Sequence, residues 1–338
     1  MKMYVGIDLH SNNNYVAILD EELETVVCRR LRNDLNQVLK FLEPYREDIV
    51  AIAVESTFNW YWLVDGLVEA GYDLRLVNTT KATNYSGKKY TDDKHDARWI
   101  AHMLALGILP EGYITPPEVR GVRDLLRRRL FLVQKRTSFL LSTKTIYSRS
   151  TGRSISTDDI PRLDQQTVRV LIDDEPVAES IEVMLPVIKV INREIATIER
   201  RACARVKDTE DFTGLQTIPG VGLVLSMTIM LETADIGRFK SVGNFSSYCR
   251  CVKSERRSND KKKGQGNRKN GNKYLSWAFS EAAHHITRYE PLAKRYYDRK
   301  RARCHPMVAR RALANKLTKA SFFIMRDPVA FDAKRLFN

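Results

Sequence analysis

Met3-Tyr4-Val5-Gly6-Ile7-Asp8-Leu9-His10 is an apolar run that ends abruptly in a carboxylate. It predicts a buried strand that delivers an acid at its C-terminal end. Two later stretches offer acids in matching positions. Val50-Ala51-Ile52-Ala53-Val54-Glu55 is a second buried run ending in a carboxylate, and Asp92-Asp93-Lys94-His95-Asp96-Ala97 places acids beside a helical pattern.

Around the first run the pattern is that of short antiparallel strands. Residues 3–8, 15–19 and 25–31 read as strands, with Asp20-Glu21-Glu22 as a turn. Asn33 or Asp34 then caps a helix carrying Leu35, Val38, Leu39 and Leu42. Residues 49–54 form a buried strand, 60–70 a helix ended by Gly71, and 72–77 another strand. Residues 84–94 are polar and read as a loop, and 96–106 as a helix with Ile100, Met103 and Leu104 inward. Three antiparallel strands followed by alternating helices and strands is the order of a ribonuclease-H-like α/β sheet.

The character changes at Pro117. Leu125, Leu132, Phe139 and Ile146 recur every seven residues, beside Leu126, Val133, Leu140 and Tyr147. This predicts a long helix with a narrow apolar stripe. Residues 151–159 form a polar break. Ile181, Met184, Ile188, Ile191, Ile195, Ile198 and Ala202 then alternate in steps of three and four, with Pro186 marking a kink or a start. Two such helices form either a helical hairpin within one chain or a coiled coil between copies.

Thr217-Ile218-Pro219-Gly220-Val221-Gly222 precedes an apolar helix, the pattern of helix-hairpin-helix DNA binders, where backbone amides face a phosphate. Residues 253–273 follow, densely basic and almost without apolar side chains, and read as a flexible loop that closes on phosphates. From Tyr274 to about Met325 the chain is helical, with Tyr296-Tyr297 and Arg299–Arg303 as residues that either stack on bases or pack internally. The expected domains are 1–112, an acidic α/β domain; 113–208, a long-helix arm; and 209–338, a mainly α-helical domain with the hairpin and the basic loop.

Composition narrows the partners. The 338 residues carry a formal net charge of +15, which suits a polyanion, nucleic acid first. No apolar run is long enough to span a bilayer, and Asp8 interrupts any signal-peptide pattern, so a cytoplasmic, nucleoid-associated protein without a membrane partner is expected. The five cysteines are odd in number and irregularly spaced, which argues against a disulfide framework, and Cys249, Cys251, Cys304 and His305 fit no usual zinc spacing.

The acids carry the chemistry. Asp8 and Glu55 end two strands expected to be neighbours, and Asp93 and Asp96 lie one helical turn apart. Four converging carboxylates suit Mg2+ (or Mn2+), which takes oxygen ligands and assists phosphodiester chemistry.

Gly6-Ile7-Asp8, Val54-Glu55 and Asp93-Lys94-His95-Asp96-Ala97 together resemble the Asp-Glu-Asp-Asp transposases of the bacterial insertion-sequence "one-ten" family, which includes the Piv-type invertases. Ile218-Pro219-Gly220-Val221-Gly222, residues 239–248, and Gly271-Asn272-Lys273-Tyr274-Leu275 extend the resemblance over essentially the whole chain. It implies a RuvC-like N-terminal domain with metal ligands Asp8, Glu55, Asp93 and Asp96, Asp92 being the alternative to Asp93. It also implies a C-terminal serine nucleophile that forms a covalent link to DNA. The family's Gly-Leu-x-Pro segment is replaced here by Arg250-Cys251-Val252-Lys253, after which the serine falls on Ser258, with Ser254 as runner-up. The implied partners are double-stranded DNA, a structured "bridge" guide RNA, and further copies of the chain in a dimer or tetramer. Nucleic acid would meet Gly220, Gly222, Lys253, Arg256, Arg257, Lys261, Lys262, Lys263, Arg268, Lys269 and Lys273.

Three other readings are weaker. A RuvC-like junction endonuclease needs the acids but neither serine nor basic loop. An actin-like ATPase needs a second glycine-rich phosphate loop, which is lacking. A binder without catalysis leaves the acids unexplained.

Overall fold

A computed structural model describes residues 1–82, 92–264 and 270–337 as two compact units, Met1–Ile114 and Thr115–Asn338. In the first unit β1 (Met3–Leu9), β2 (Asn13–Leu19) and β3 (Thr25–Arg32) form an antiparallel meander. Then come α1 (Leu35–Leu42), β4 (Ile49–Glu55), α2 (Tyr61–Glu69), β5 (Leu74–Val77), α3 (Thr79–Ala82), α4 (Asp93–Ala105) and β6 (Glu111–Gly112). The sheet order is β3-β2-β1-β4-β5-β6, with β1, β4 and β5 parallel. This is the ribonuclease-H-like arrangement expected from the sequence.

The two faces of β1 divide the labour. Val5, Ile7 and Leu9 point into a core closed by Val38 and Leu42 of α1 and Leu63, Val64 and Leu67 of α2. Each such buried side chain contributes about 1.5–3 kcal/mol, which offsets the cost of crowding carboxylates at one end of the sheet. Gly6 and Asp8 point the other way, towards α4. A Cβ on Gly6 would run into Ala97 O and stand 2.5 Å from Ala101 N, so only glycine lets α4 lie this close. The small Ala97 and Ala101 are fully buried there with Ala17.

Helix α4 starts at Asp93, three residues earlier than the pattern suggested. Asp92 accepts a hydrogen bond from His95 N at 2.8 Å and is the N-cap, which pulls the boundary back.

The second unit is helical apart from one hairpin. It comprises α5 (Pro117–Thr151), α6 (Gln165–Leu171), α7 (Glu175–Glu182), α8 (Met184–Val206), α9 (Glu210–Gln216), α10 (Leu223–Thr233), α11 (Val242–Tyr248), β7 (Arg256–Ser258), β8 (Lys261–Gly264), α12 (Lys273–Tyr289), α13 (Pro291–Arg301), α14 (Pro306–Arg326) and α15 (Ala333–Phe337). Helix α5 runs unbroken to Gly152, whose left-handed φ of 67° ends it. Pro186 lies in the first turn of α8, so it starts that helix and does not kink it.

The heptad seam is spent inside the chain. Ile181, Ile188, Ile195 and Ala202 are buried, the first two with Tyr147 of α5. Arg129 reaches Glu199 at 2.7 Å and Arg136 reaches Asn192 at 3.0 Å across the same pair of helices. Of the two arrangements open to these helices the intramolecular hairpin forms, so the seam is not a free surface for self-association. The aromatics Tyr296 and Tyr297 pack against the C-terminal core, with the Tyr296 ring 5.7 Å from that of Phe337.

Candidate functional site

Parallel pairing of Ile7 with Val54 sets Asp8 and Glu55 side by side at the ends of β1 and β4. The close crossing at Gly6 brings the first turn of α4 over them. Asp8 is almost fully buried. Burial pushes its carboxyl up to about 9, helped by a hydrogen bond and charge repulsion from Glu55 and by the charges of Asp96 and Asp93. Asp96 is also raised, first by burial and then by Glu55 and Asp93. The four acids named from the sequence therefore share one electrostatic neighbourhood. Asp92, the alternative to Asp93, is occupied as the cap of α4.

A histidine joins them. His10 Nε2 lies 3.2 Å from Asp8 Oδ2 and 3.3 Å from Asp93 Oδ2. Neither approach has hydrogen-bond angles, and Asp8 Oδ2 and His10 Nε2 are both buried without a hydrogen-bond partner. Among the described residues this is the one group of three or more His, Cys, Asp or Glu side chains whose ligating atoms converge, all within 4.8 Å. Buried, unpartnered donor atoms among mutually repelling carboxylates fit a divalent cation, which relieves both penalties. Sequence reading passed over His10 as a site residue. The signal was its spacing: two residues after Asp8, it leaves the strand on the same face.

Within the stretch expected as a flexible basic loop, Arg256–Ser258 and Lys261–Gly264 form a β-hairpin that carries Ser258. Asn259 and Asp260 take φ of 49° and 55°, the two left-handed positions of a tight two-residue turn, and Ser258 pairs with Lys261 across it. Ser258, Lys261 and Lys263 are exposed. Ser254 is exposed in the segment leading to β7. Lys253 forms an ion pair with Glu255 at 2.8 Å, and the Lys273 ammonium lies 5.1 Å from the Tyr274 ring centre. Only the backbone of Arg256, Arg257 and Lys262 is described, and Arg268 and Lys269 lie outside the described residues.

The root of the hairpin is fixed. Arg250 donates twice to Gly271 O, at 3.0 and 2.7 Å, and Asn272 N donates to Tyr248 O at 2.6 Å. Asn272 Oδ1 caps α12, and its Nδ2 donates to the buried Glu232 at 2.6 Å. Glu232 also accepts two hydrogen bonds from Arg127 of α5, at 2.7 and 2.8 Å. Such a charge-assisted fork ties the hairpin's root to α5 and α10. No local pattern points to this network, whose members are far apart in the chain.

Of the two glycines before α10, Gly220 has φ of 84° and faces α12 so tightly that a Cβ would meet His285 at 2.9 Å. Its conformation serves internal packing. Gly222 is the N-cap of α10 and has open space before it. Cys249 and Cys251 are buried in the same core, and burial raises both thiols, Cys251 to about 11.

Residues 5–145 match a family model described as a transposase, the DEDD model of the IS110 group, and residues 213–298 match the Transposase IS116/IS110/IS902 family. The chain belongs to the IS110 family of transposases. The transposase for insertion sequence element IS1111A of Coxiella burnetii is 23% identical over 92% of this chain and 86% of that protein. The transposase for insertion sequence element IS1328 of Yersinia enterocolitica is 22% identical over 97% of this chain and 98% of its own length. A solved structure, T. thermophilus RuvC in complex with Holliday junction substrate, is 12% identical with a TM-score of 0.26, over 33% of this chain and all of that one, a likeness too slight to argue from. Transposases are enzymes that cut DNA strands and join them elsewhere, and this transposase carries the family's DEDD domain over residues 5–145. No helix among the described residues is long and apolar enough to cross a membrane.

Proposed function

We propose that this transposase holds a divalent ion, Mg2+ or Mn2+, among Asp8, Glu55, Asp93 and Asp96, and that Ser258 is the nucleophile of strand transfer. The observation that carries the metal reading is the buried Asp8 carboxylate, its Oδ2 without a hydrogen-bond partner, crowded by three more acids. Bound there, the ion stabilises negative charge developing on a phosphate. Asp8 and Glu55, at the ends of adjacent strands, supply rigid ligands, and Asp93 and Asp96 complete the set from one turn of α4.

The serine reading is supported by its exposed position beside a tight turn with Lys261 opposite. The Ser258 Oγ forms a bond to phosphorus, the bond from phosphorus to the departing sugar oxygen breaks, and the serine proton ends on that oxygen. The phosphoserine keeps the bond energy, so a hydroxyl of a second DNA site can reverse the step and release Ser258. Lys261 and Lys263 balance the charge of the five-coordinate phosphate. The net charge of +15 supports binding to double-stranded DNA and to a structured guide RNA. Strand exchange between two duplexes calls for more than one protomer, and we place the protein in the bacterial cytoplasm, on the nucleoid.

Trapping tests the chemistry. Protein, Mg2+, guide RNA and labelled DNA are mixed and denatured, and label migrating with protein is measured. Wild type should give the adduct, and Ser258→Ala should lose it while still binding DNA. Loss in Ser254→Ala alone would move the nucleophile to Ser254. Cut DNA with no adduct in any protein would return the chain to a metal-dependent junction endonuclease.

A further inference from the structure

We infer that His10 is a direct ligand of the divalent ion, giving this site a nitrogen donor beside its carboxylates and a preference for Mn2+ over Mg2+. The inference rests on the proposed metal role of Asp8 and Asp93.

The geometry comes first. Two ligands at right angles on an ion bonded at about 2.0–2.1 Å stand roughly 2.8–3.0 Å apart. Nε2 lies 3.2 and 3.3 Å from Asp8 Oδ2 and Asp93 Oδ2, within a few tenths of an ångström of that spacing, so all three atoms could bind one ion with small shifts. Neither approach is a hydrogen bond, and Nε2 is buried without a hydrogen-bond partner. A ring nitrogen this close to two carboxylate oxygens and bonded to neither is an arrangement that a shared cation accounts for.

The backbone of His10 is held more firmly than a chance surface residue requires. Its carbonyl accepts from Asn33 Nδ2 at 2.9 Å and from Asn59 Nδ2 at 3.0 Å. Its N–H donates to Asn13 O at 2.9 Å. Asn33 is held in turn by the buried Asn14 at 3.1 Å, and Asn59 by Thr57 at 2.9 Å. Anchors from both sides of the strand end fix the direction of the His10 Cα–Cβ bond, which sends the side chain towards Asp8 and Asp93.

A mixed nitrogen and oxygen set has a chemical consequence. Carboxylates alone suit Mg2+ and Mn2+ alike, whereas imidazole favours first-row transition ions. His10 therefore biases the site towards Mn2+.

Pulsed electron paramagnetic resonance on the full chain with Mn2+ tests this directly. Bound Mn2+ should show nitrogen modulation, and His10→Gln, which keeps a polar side chain of similar reach, should lose it. The same variant should weaken Mn2+ binding by more than the roughly 10–100-fold that removing a group behind a ligand costs, and weaken Mg2+ less. Bound Mn2+ without nitrogen modulation in the wild type would overturn the inference and leave the carboxylate site standing. Modulation that survives His10→Gln but vanishes in His95→Ala would assign the nitrogen to His95 and overturn it equally. A chain that binds no Mn2+ at all would sink the carboxylate site as well.

Discussion

Gly6→Ala should damage the metal site without touching a single proposed ligand. The added methyl would stand 2.5 Å from Ala101 N and still closer to Ala97 O, both backbone atoms that cannot rotate away. Ordinary contact begins at 3.4 Å, so α4 must retreat from the sheet by about 1 Å. Overpacking of this kind costs about 1–3 kcal/mol in stability. The functional cost is larger, because α4 carries Asp93 and Asp96 while the sheet carries Asp8 and Glu55. A misplacement of about 1 Å at a reacting centre costs on the order of 100-fold in rate. The assay pairs urea unfolding with Mn2+ titration and strand cleavage of the same protein. A Gly6→Ala chain of wild-type stability, metal affinity and cleavage rate would refute the close crossing as what assembles the site.

Further outcomes follow from the same structure. Asp8 keeps its proton to about pH 9 when folded but only to 3.8 when unfolded, so metal-free protein binds more protons folded than unfolded between those limits. Its stability is full below the lower limit and falls as pH rises to the upper, by at most about 1.4 kcal/mol per pH unit; Asp8→Asn should flatten that slope in urea titrations, and an unchanged slope would contradict the burial account. Lys261→Ala with Lys263→Ala should lower the salt slope of DNA binding by roughly one unit for each phosphate no longer neutralised, an effect that titration across salt concentrations would reveal or deny. Ile188→Ala should cost about 2–5 kcal/mol by opening a cavity in the arm and leave the oligomeric state unchanged in light scattering; a shift in assembly instead would put the seam between protomers.

Much of the first unit was legible because its signals are local. Apolar runs ending in Asp8 and Glu55 mark both strands and chemistry, and antiparallel strands before alternating helices fix the sheet order. The start of α4 is hidden because the cap Asp92 and the first turn after it are polar, and the apolar pattern begins only beyond them. His10 gives no signal alone, since a histidine after a strand acquires a role only when α4 brings Asp93 to it. The hairpin at Ser258 was hidden by composition: its strands are nearly all cationic, and only the Asn259-Asp260 turn betrays it. The Arg127–Glu232–Asn272 network joins residues 105 and 40 positions apart, a relation that no periodicity encodes. The heptad stripes predicted the two long helices, but a stripe cannot say whether its partner lies in the same chain, and here it does.

One acidic cluster in the first unit is held to bind the catalytic ion, and crystals of the full chain soaked in Mn2+ and measured at the manganese absorption edge test this most directly. An anomalous peak is expected within bonding distance of Asp8 and its neighbours Glu55, Asp93 and Asp96, absent in Asp8→Asn. A peak elsewhere, or none at the cluster in crystals of protein that cleaves DNA with Mn2+, would contradict it.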